Sequence, residues 1–312
     1  MRERIRILLQ TTIPETPDDW HVGRFSLLRR FLEAQVDDSG DRLFAVTARD
    51  RVGTQSDPVL SKLDEAEFDE LWLFAVDSGD GLPPADCAGI NRFHARGGGL
   101  LLARDHQDVG SSLSNLGSVG SAHFFHSRNP ERDPSRRVRD DSDAEAISWP
   151  NYHSGRDGDY QRVTVLEPVH ELLLNAASPS WMVDFFPAHP HEGAVGVPSG
   201  RRGGRAIATG RSLTTGRPFN LMVAFERIAD EHGNQLGRAV AESSFHHFAD
   251  YNWDPQQGCP SFVKAAPGDA VRKYPGRLND VTAYARNLAL WLAPVSSRRR
   301  IRTPRAAALA SA

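Results

Sequence analysis

The chain has 312 residues, of which 39% are apolar and 25% are charged, as in ordinary globular proteins. This composition excludes collagen-like, coiled-coil and wholly disordered chains. The sequence has no run of eighteen apolar residues, and its start, MRERIRILLQ, passes from charge into a short apolar run with no cleavage-type region. We therefore expect a cytoplasmic protein with no membrane span. The two cysteines, Cys87 and Cys259, form neither a disulfide framework nor a CxxC metal or redox motif.

Positive charge is concentrated at the C-terminus. Five arginines and no acidic residue occur in the last seventeen residues, so the net charge of −3 for the whole chain becomes −8 for residues 1–295. An acidic body with a short basic tail lacks the basic face typical of nucleic-acid-binding domains, so we do not expect nucleic acid as a partner. We expect residues 1–295 to form a single domain and residues 296–312 to be a disordered basic tail, because the tail has little apolar surface to bury.

Short apolar runs alternate with helical patterns along the first hundred residues. The runs have the length and composition of buried parallel strands, and they lie at Ile5–Gln10, Leu43–Thr47, Leu71–Val76 and Leu100–Ala103. The first helical pattern starts at Asp19 and repeats apolar residues every three or four positions, at Val22, Phe25, Leu28, Leu32 and Val36. The second helix is predicted over Ala85–Arg96, after two prolines.

This alternation predicts an α/β fold with a doubly wound, mainly parallel sheet and helices on both faces. Ala239–Phe245 is expected to join the four earlier runs as a neighbouring strand, and further strands are predicted at Arg205–Ala208 and Phe219–Phe225. A last helix is predicted from about Asn279. Residues 118–160 are too long and too polar for an ordinary connection, so we expect a loop-rich insertion or lid that reaches to about residue 200.

Polar residues directly after a strand are candidates for a site, because open parallel sheets bind ligands beyond the carboxyl ends of their strands. The fourth run, Leu100–Ala103, is followed by Arg104, Asp105, His106, Gln107 and Asp108. Such a cluster on a strand-to-helix turn presents side chains and backbone N–H groups to a ligand. One aspartate alone would be interpreted as a helix cap, whereas the whole cluster favours a site.

A second cluster, Phe185–Gly193, contains His189, His191 and Glu192. Pro190 favours an extended conformation for His189, and residues two apart in an extended segment point the same way. The two histidines are therefore predicted to meet one divalent metal ion, with Glu192 as a nearby carboxylate. The alternative is a pair of loop histidines hydrogen-bonded to the backbone.

A third cluster follows the predicted strand Ala239–Phe245 and consists of His246, His247, Asp250 and Trp253. Adjacent residues of an extended chain face opposite sides, so we expect only one of the two histidines to face the first cluster. The aromatic residues here either stack on a sugar or complete the core. His123 and His126 form a weaker candidate pair.

Several motifs of nucleotide and hydrolase chemistry are absent from the sequence. There is no P-loop GxxxxGK[ST], no GxGxxG after the first strand, no HExxH and no GxSxG. Gly97–Gly99 precedes its strand, which is typical of a helix stop and not of a phosphate cradle. Nucleotide-dependent phosphoryl transfer and nicotinamide chemistry are therefore not expected.

Two stretches carry a family resemblance, ARGGGLLLARDHQD and GRAVAESSFHHFADYNW. They resemble the class I glutamine amidotransferase-like superfamily and, within it, the trehalose-utilisation (ThuA-like) proteins, and the order of elements extends the resemblance over roughly residues 4–293. The resemblance implies a flavodoxin-like fold and a loose connection to carbohydrate metabolism. It also implies a late functional histidine, which maps to His246 or His247.

True amidotransferases of this superfamily carry a cysteine nucleophile on the turn after the strand. Here that turn reads Ala103 to Gln107 without a cysteine. Because thiolate chemistry needs a nucleophile positioned beside its base, we do not expect a thiolate-dependent glutamine amidotransferase.

Two functions of different classes follow from these observations. The first is a hydrolase or lyase acting on a small polar metabolite, with His246 or His247 as general base and Asp105 or His106 as acid or orienting partner. The second is a non-catalytic binding or sensor protein on the same fold. In either case the partner is a small molecule, a homo-oligomer is compatible with the sequence, and the expected ligand contacts are Arg104, Gln107, Asp250 and Trp253.

The three clusters are predicted to meet in one pocket at the carboxyl edge of the sheet. A common site requires this convergence, whereas independent structural roles do not. The residues expected to line the pocket are Asp105 or His106, His189, His191, and His246 or His247.

Overall fold

The computed structural model describes residues 4–14, 20–53, 55–123, 140, 147, 151–198, 203–229, 233, 235–261 and 263–298. His126, most of the predicted insertion between residues 124 and 150, and the basic tail beyond residue 298 lie outside these residues. Among the helices of the described ranges, none combines the length and apolar character needed to cross a bilayer.

The chain forms strands and helices with the following bounds. The strands are β1 (Ile5–Thr11), β2 (Phe44–Arg49), β3 (Glu70–Phe74), β4 (Gly99–Ala103), β5 (Tyr160–Arg162), β6 (Thr164–Val165), β7 (Phe185–Pro187), β8 (Gly204–Arg211), β9 (Pro218–Phe225) and β10 (Ala239–Glu242). The α-helices are α1 (Ser26–Ala34), α2 (Pro84–Ala95), α3 (Gly117–Gly120), α4 (Asp250–Trp253), α5 (Ala270–Lys273), α6 (Leu278–Leu292) and α7 (Val295–Arg298). Short 3-10 helices include Val22–Phe25, Glu171–Leu173 and Phe245–Phe248.

Eight strands form one sheet in the order β2-β1-β3-β4-β10-β9-β8-β6. The first five strands pair in parallel, and β9, β8 and β6 extend the sheet in antiparallel pairs. This order confirms the predicted α/β fold and the predicted neighbours in the parallel half. A separate two-stranded sheet pairs β5 with β7.

The sheet is buried on both faces, as continuous apolar strands require. In β3, Leu71 and Leu73 pack with α2 on one face, whereas Trp72 and Phe74 pack with α1 and α6 on the other. All four side chains are fully buried. The alternation of two apolar faces along one strand therefore fixes a helix layer on each side.

The first helical pattern is interrupted at both ends. Val22–Phe25 forms a 3-10 turn before α1, and α1 ends at Ala34 because Gln35 adopts an extended conformation. Val36, predicted as the last apolar position of the helix, instead forms an isolated bridge with Arg42. The periodic pattern thus covers a helix together with the turns at its two ends.

A distant carboxylate caps α1. No local side chain caps this helix, but Asp250 Oδ1 accepts a hydrogen bond from Leu27 N (2.8 Å), and Asp250 Oδ2 accepts from Ser26 N (3.1 Å) and Ser26 Oγ (2.6 Å). Asp250 was predicted to contact substrate. The structure instead gives this buried side chain to the first turn of α1, where a negative charge is favoured.

Replacing Asp250 with alanine is expected to lower the free energy of unfolding by about 1–2 kcal/mol, because partly buried N–H donors of α1 lose their acceptor. Asp254→Ala is the matched control, since Asp254 caps only the short 3-10 turn Pro255–Gln257. Denaturant unfolding of both variants measures the difference. Equal stability of D250A and the wild type would contradict the assigned cap.

Candidate functional site

Three buried side chains converge at the carboxyl edge of the sheet. Asp105 follows β4, His246 lies in the 3-10 turn after β10, and His189 follows β7. Asp105 Oδ2 is 3.1 Å from His246 Nε2 and 3.5 Å from His189 Nε2. These residues are 2%, 4% and 5% exposed, respectively. Since β4 and β10 are adjacent parallel strands, their ends bring Asp105 and His246 to the same place.

Each of the two histidines is held by a second group through its other ring nitrogen. His189 Nδ1 lies 2.9 Å from Asp157 Oδ1, and His246 Nδ1 is hydrogen-bonded to the Tyr251 hydroxyl. The two imidazole rings stack with centroids 3.4 Å apart and an angle of 11° between their planes. Both Nε2 atoms are thereby directed at the same carboxylate oxygen of Asp105.

Two further histidines, His106 and His191, lie beside the buried cluster and are only partly buried. His106 Nε2 is 3.5 Å from Asp105 Oδ2, and 18% of its side chain is exposed. The ring centroid of His191 lies 5.7 Å from that of His106 and 5.5 Å from that of His189. These two side chains therefore border the buried cluster on its more accessible side.

The cluster has strongly shifted protonation equilibria. Burial alone would raise the pKa of Asp105, but the nearby His246, His106 and His189 outweigh it and hold that pKa well below its usual range. Burial lowers the pKa of His189, yet Asp157 and Asp105 outweigh it and raise the value to about 10. His189 is therefore an imidazolium between two carboxylates in the metal-free protein.

The other two imidazoles shift in the opposite direction. Burial lowers the pKa of His246, and the charge of His189 lowers it further. Burial also lowers the pKa of His106 to about 4, although Asp105 offsets part of this effect. At neutral pH both rings are uncharged, so each has a nitrogen lone pair available.

The donor set fits a divalent metal ion. One carboxylate oxygen of Asp105 and one ring nitrogen each of His189 and His246 all lie within 4.8 Å of one another, the single such set of three found in the described ranges. Three protein ligands with one open position are typical of catalytic zinc sites. Asp157 and Tyr251 take the places of the outer groups that orient metal-binding imidazoles. The Tyr251 hydroxyl both donates and accepts, so it can support either tautomer of His246.

His247 faces away from this cluster and belongs to a second one. Its Nε2 is 3.2 Å from Glu192 Oε1, and its Nδ1 is 3.5 Å from Glu242 Oε2. Burial lowers the pKa of His247, but Glu192 and Glu242 outweigh it and raise the value to about 10. Of the two histidines that the sequence left open, His246 is the one that meets Asp105.

The predicted metal trio of His189, His191 and Glu192 is corrected by this geometry. Glu192 is fully buried and pairs with His247, whereas Asp105 and His246 lie beside His189. The extended conformation expected for this segment is interrupted by a turn at Pro190 and His191, so spacing along the chain does not determine where Glu192 lies.

Three of the four predicted ligand contacts are used within the protein. Arg104 is fully buried and donates hydrogen bonds to the carbonyl oxygens of Val109 (2.9 Å) and Gln107. Trp253 is buried and donates its indole N–H to the carbonyl oxygen of His247 (2.8 Å), and Asp250 caps α1. Gln107 is partly exposed and has a φ of 45°, an uncommon conformation for a residue other than glycine.

The sequence interpretation missed Asp157, Tyr251 and Ser244. Ser244 donates a hydrogen bond to Asp105 Oδ1 (3.1 Å) and caps the turn that carries His246. Asp157 lies in an irregular segment without periodicity, so no pattern singled it out. Tyr251 was noted only as one of several aromatic residues, although its position five residues after His246 fits a turn that folds back.

Comparisons with known proteins give matches among solved structures only. No protein-family model and no curated protein matches the chain. One similar structure is the glutaminase domain of CTPS from Trypanosoma brucei with bound acivicin, at 13% identity and a TM-score of 0.42, covering 96% of each chain. Another is a putative ThuA-like protein from Parabacteroides merdae, at 16% identity and a TM-score of 0.43, covering 77% of this chain and 79% of that one.

At these identities the two similarities concern the fold alone. The resemblance of the two sequence stretches to a superfamily and branch stays a prediction, whereas the predicted α/β fold is confirmed by the strand order itself.

Proposed function

We propose that this protein is a metal-dependent hydrolase or lyase acting on a small polar, carbohydrate-related metabolite. Asp105, His189 and His246 would be the three metal ligands. The observation that carries the proposal is that both histidines direct Nε2 at one carboxylate oxygen while Asp157 and Tyr251 hold their Nδ1 atoms. This arrangement of ligands and outer groups is the one that metal-binding imidazoles use.

The residues at the rim supply the acid–base chemistry of the proposed reaction. A divalent ion held by the three ligands would polarise a substrate oxygen or lower the pKa of a water. His106, partly exposed and 3.5 Å from Asp105, would accept a proton from a water or substrate hydroxyl beside the cluster. His191, with its ring 5.7 Å from that of His106, would donate a proton to the leaving group.

Cysteine chemistry has little support in the described part of the chain. Cys87 is buried in α2, with its sulfur directed at the carbonyl oxygen of Leu82. Burial raises the pKa of Cys259 to about 11, and Asp157 adds to this effect. The Cys259 thiol is therefore protonated at neutral pH, whereas the reactive species in thiol catalysis is the thiolate.

A non-catalytic binding or sensor protein is the second candidate. The observation that favours it is the turn after β4, which reads Arg104-Asp105-His106-Gln107-Asp108 and carries no serine or cysteine nucleophile. A protein of this kind would keep the pocket and the metal but would not turn over a substrate. Metal binding and turnover therefore have to be measured separately.

We expect tag-free protein, stripped with a chelator and titrated with Zn²⁺ or Mn²⁺, to bind about one ion per chain. Asp105→Asn and His189→Gln are expected to weaken binding by more than about 100-fold, because loss of an outer group alone costs 10–100-fold. Calorimetry and elemental analysis measure affinity and stoichiometry. His170→Gln is the control, since His170 is equally buried but contacts Leu172 and Glu226.

Two results would contradict the metal assignment. One is the absence of binding to the wild-type protein by either ion. The other is an equal affinity of D105N and H170Q for the ion that binds.

Turnover is expected from the metal-loaded protein with a panel of sugar lactones, acylated sugars and sugar acids, followed by proton NMR. His106→Gln should lower kcat by about 100-fold, the usual contribution of a positioned acid or base, while metal affinity stays unchanged. D105N should lose both activity and metal. Metal binding without conversion of any panel member would favour the binding protein instead.

A further inference from the structure

Glu192 is a fully buried carboxylate that the proposed reaction does not use. Its Oε1 accepts hydrogen bonds from Ser154 Oγ (2.9 Å) and from Gln161 Nε2, and lies 3.2 Å from His247 Nε2. Its Oε2 accepts a hydrogen bond from Ser243 Oγ (3.3 Å). Four side chains from separate parts of the chain therefore meet on one carboxylate.

The groups around Glu192 flank the residues of the proposed site. Ser154 and Gln161 lie on either side of Asp157 in the chain, and Ser243 and His247 lie on either side of His246. Glu192 itself follows His189 by three residues. The carboxylate thus joins the three segments that bring Asp157, His246 and His189 together.

Ser154 links Glu192 directly to the backbone of His189. The Ser154 hydroxyl accepts a hydrogen bond from His189 N (2.9 Å), and Ser154 N donates to the carbonyl oxygen of His189 (3.2 Å). A backbone pair between Tyr152 and Glu192, with both N–H to O distances at 2.9 Å, fixes the same two segments. The position of the His189 ring therefore depends on the hydrogen bonds around Glu192.

The next residue, Gly193, lies directly against the turn that carries Asp105. A Cβ atom at Gly193 would be 2.7 Å from the carbonyl oxygen of Asp105 and 2.5 Å from that of Ser243. Such distances are too short for a side chain, so the backbone at 192–193 is in tight contact with both strand ends. A shift of Glu192 would therefore also displace Asp105.

We propose that Glu192 is a positioning residue whose carboxylate sets the relative placement of His189, His246 and Asp157. A carboxylate suits these surroundings, because hydroxyl, amide and imidazole N–H donors converge on its two oxygens. A glutamine in its place would remove the negative charge beside His247 and leave one acceptor oxygen for these donors. The effect of Glu192 on metal affinity rests on the proposed function, whereas its effect on the positions of the three side chains does not.

The test uses Glu192→Gln in the full chain with isotope-labelled histidine. The imidazole NMR signals report the ring positions whether or not a metal binds, because the stacked rings of His189 and His246 shift each other's signals. We expect both sets of signals to move in E192Q and Zn²⁺ affinity to fall by about 10–100-fold, as for other outer groups.

Two further variants separate positioning from a general loss of stability. Glu70→Gln neutralises another fully buried carboxylate, which accepts from Trp72 Nε1 (2.8 Å) in β3, and it should leave the signals of both rings unchanged. The double variant E192Q/Q161E returns a carboxylate to the same place, since Gln161 Nε2 lies 3.4 Å from His247 Nε2. It should restore the imidazole signals, at least in part.

The outcomes distinguish this proposal from the proposed function. Moved imidazole signals in E192Q, in a protein that binds no metal, would support positioning and overturn the metal site. Unchanged signals in a folded E192Q would overturn positioning, whatever the metal does. If E192Q does not fold, Ser154→Ala takes its place: displaced His189 signals support the proposal, and unchanged ones overturn it.

Discussion

The burial of the Asp105 carboxylate at the end of β4 is the constraint on which the candidate site depends. An ionised carboxylate removed from water is costly unless nearby charges and hydrogen bonds compensate it. Here His189, His246 and His106 surround one oxygen, and Ser244 donates to the other. The buried charge of Asp105 is therefore stable only while these side chains surround it. Their positions depend in turn on the chain segments that carry them.

The residues of the cluster come from two kinds of structure, the ends of parallel strands and irregular loops. Adjacent parallel strands β4 and β10 end at the same edge and supply Asp105 and His246. The segment between β4 and β8 supplies His189 and Asp157 from loops that flank the small β5–β7 sheet. Glu192, which pairs with His247, then connects these loops to the turn after β10. A buried ion pair of this kind is weak evidence for stability but a good means of fixing one arrangement.

Much of the parallel half of the sheet could be predicted from the sequence. The run Leu100–Ala103 is apolar at every position and Ile5–Gln10 at four of six, a composition typical of strands buried on both faces. The antiparallel pairing of β8 and β9 could not be predicted, because nothing in the composition of a strand sets its direction. The predicted strand Ala239–Phe245 ends early, at Glu242, because Ser244 caps the turn that follows.

Only part of the candidate site could be predicted from the sequence. Histidines near strand ends are visible in the sequence, which singled out His189 and left the choice between His246 and His247 open. The pairing of Glu192 with His247 was not predicted, because proximity in sequence suggested a metal ligand, whereas a turn at Pro190 and His191 redirects the chain. Asp157 had no signal of its own, since its partner His189 is thirty-two residues away and long-range pairs leave no local pattern.

X-ray absorption at the zinc edge of the tag-free, Zn²⁺-loaded protein tests the central claim most directly. The account predicts a four-coordinate ion with two imidazole nitrogens at about 2.0–2.1 Å and oxygen ligands at about 2.0–2.2 Å, and the loss of one imidazole contribution in H246Q. A sulfur ligand, or a spectrum that is the same in H246Q as in the wild type, would contradict it.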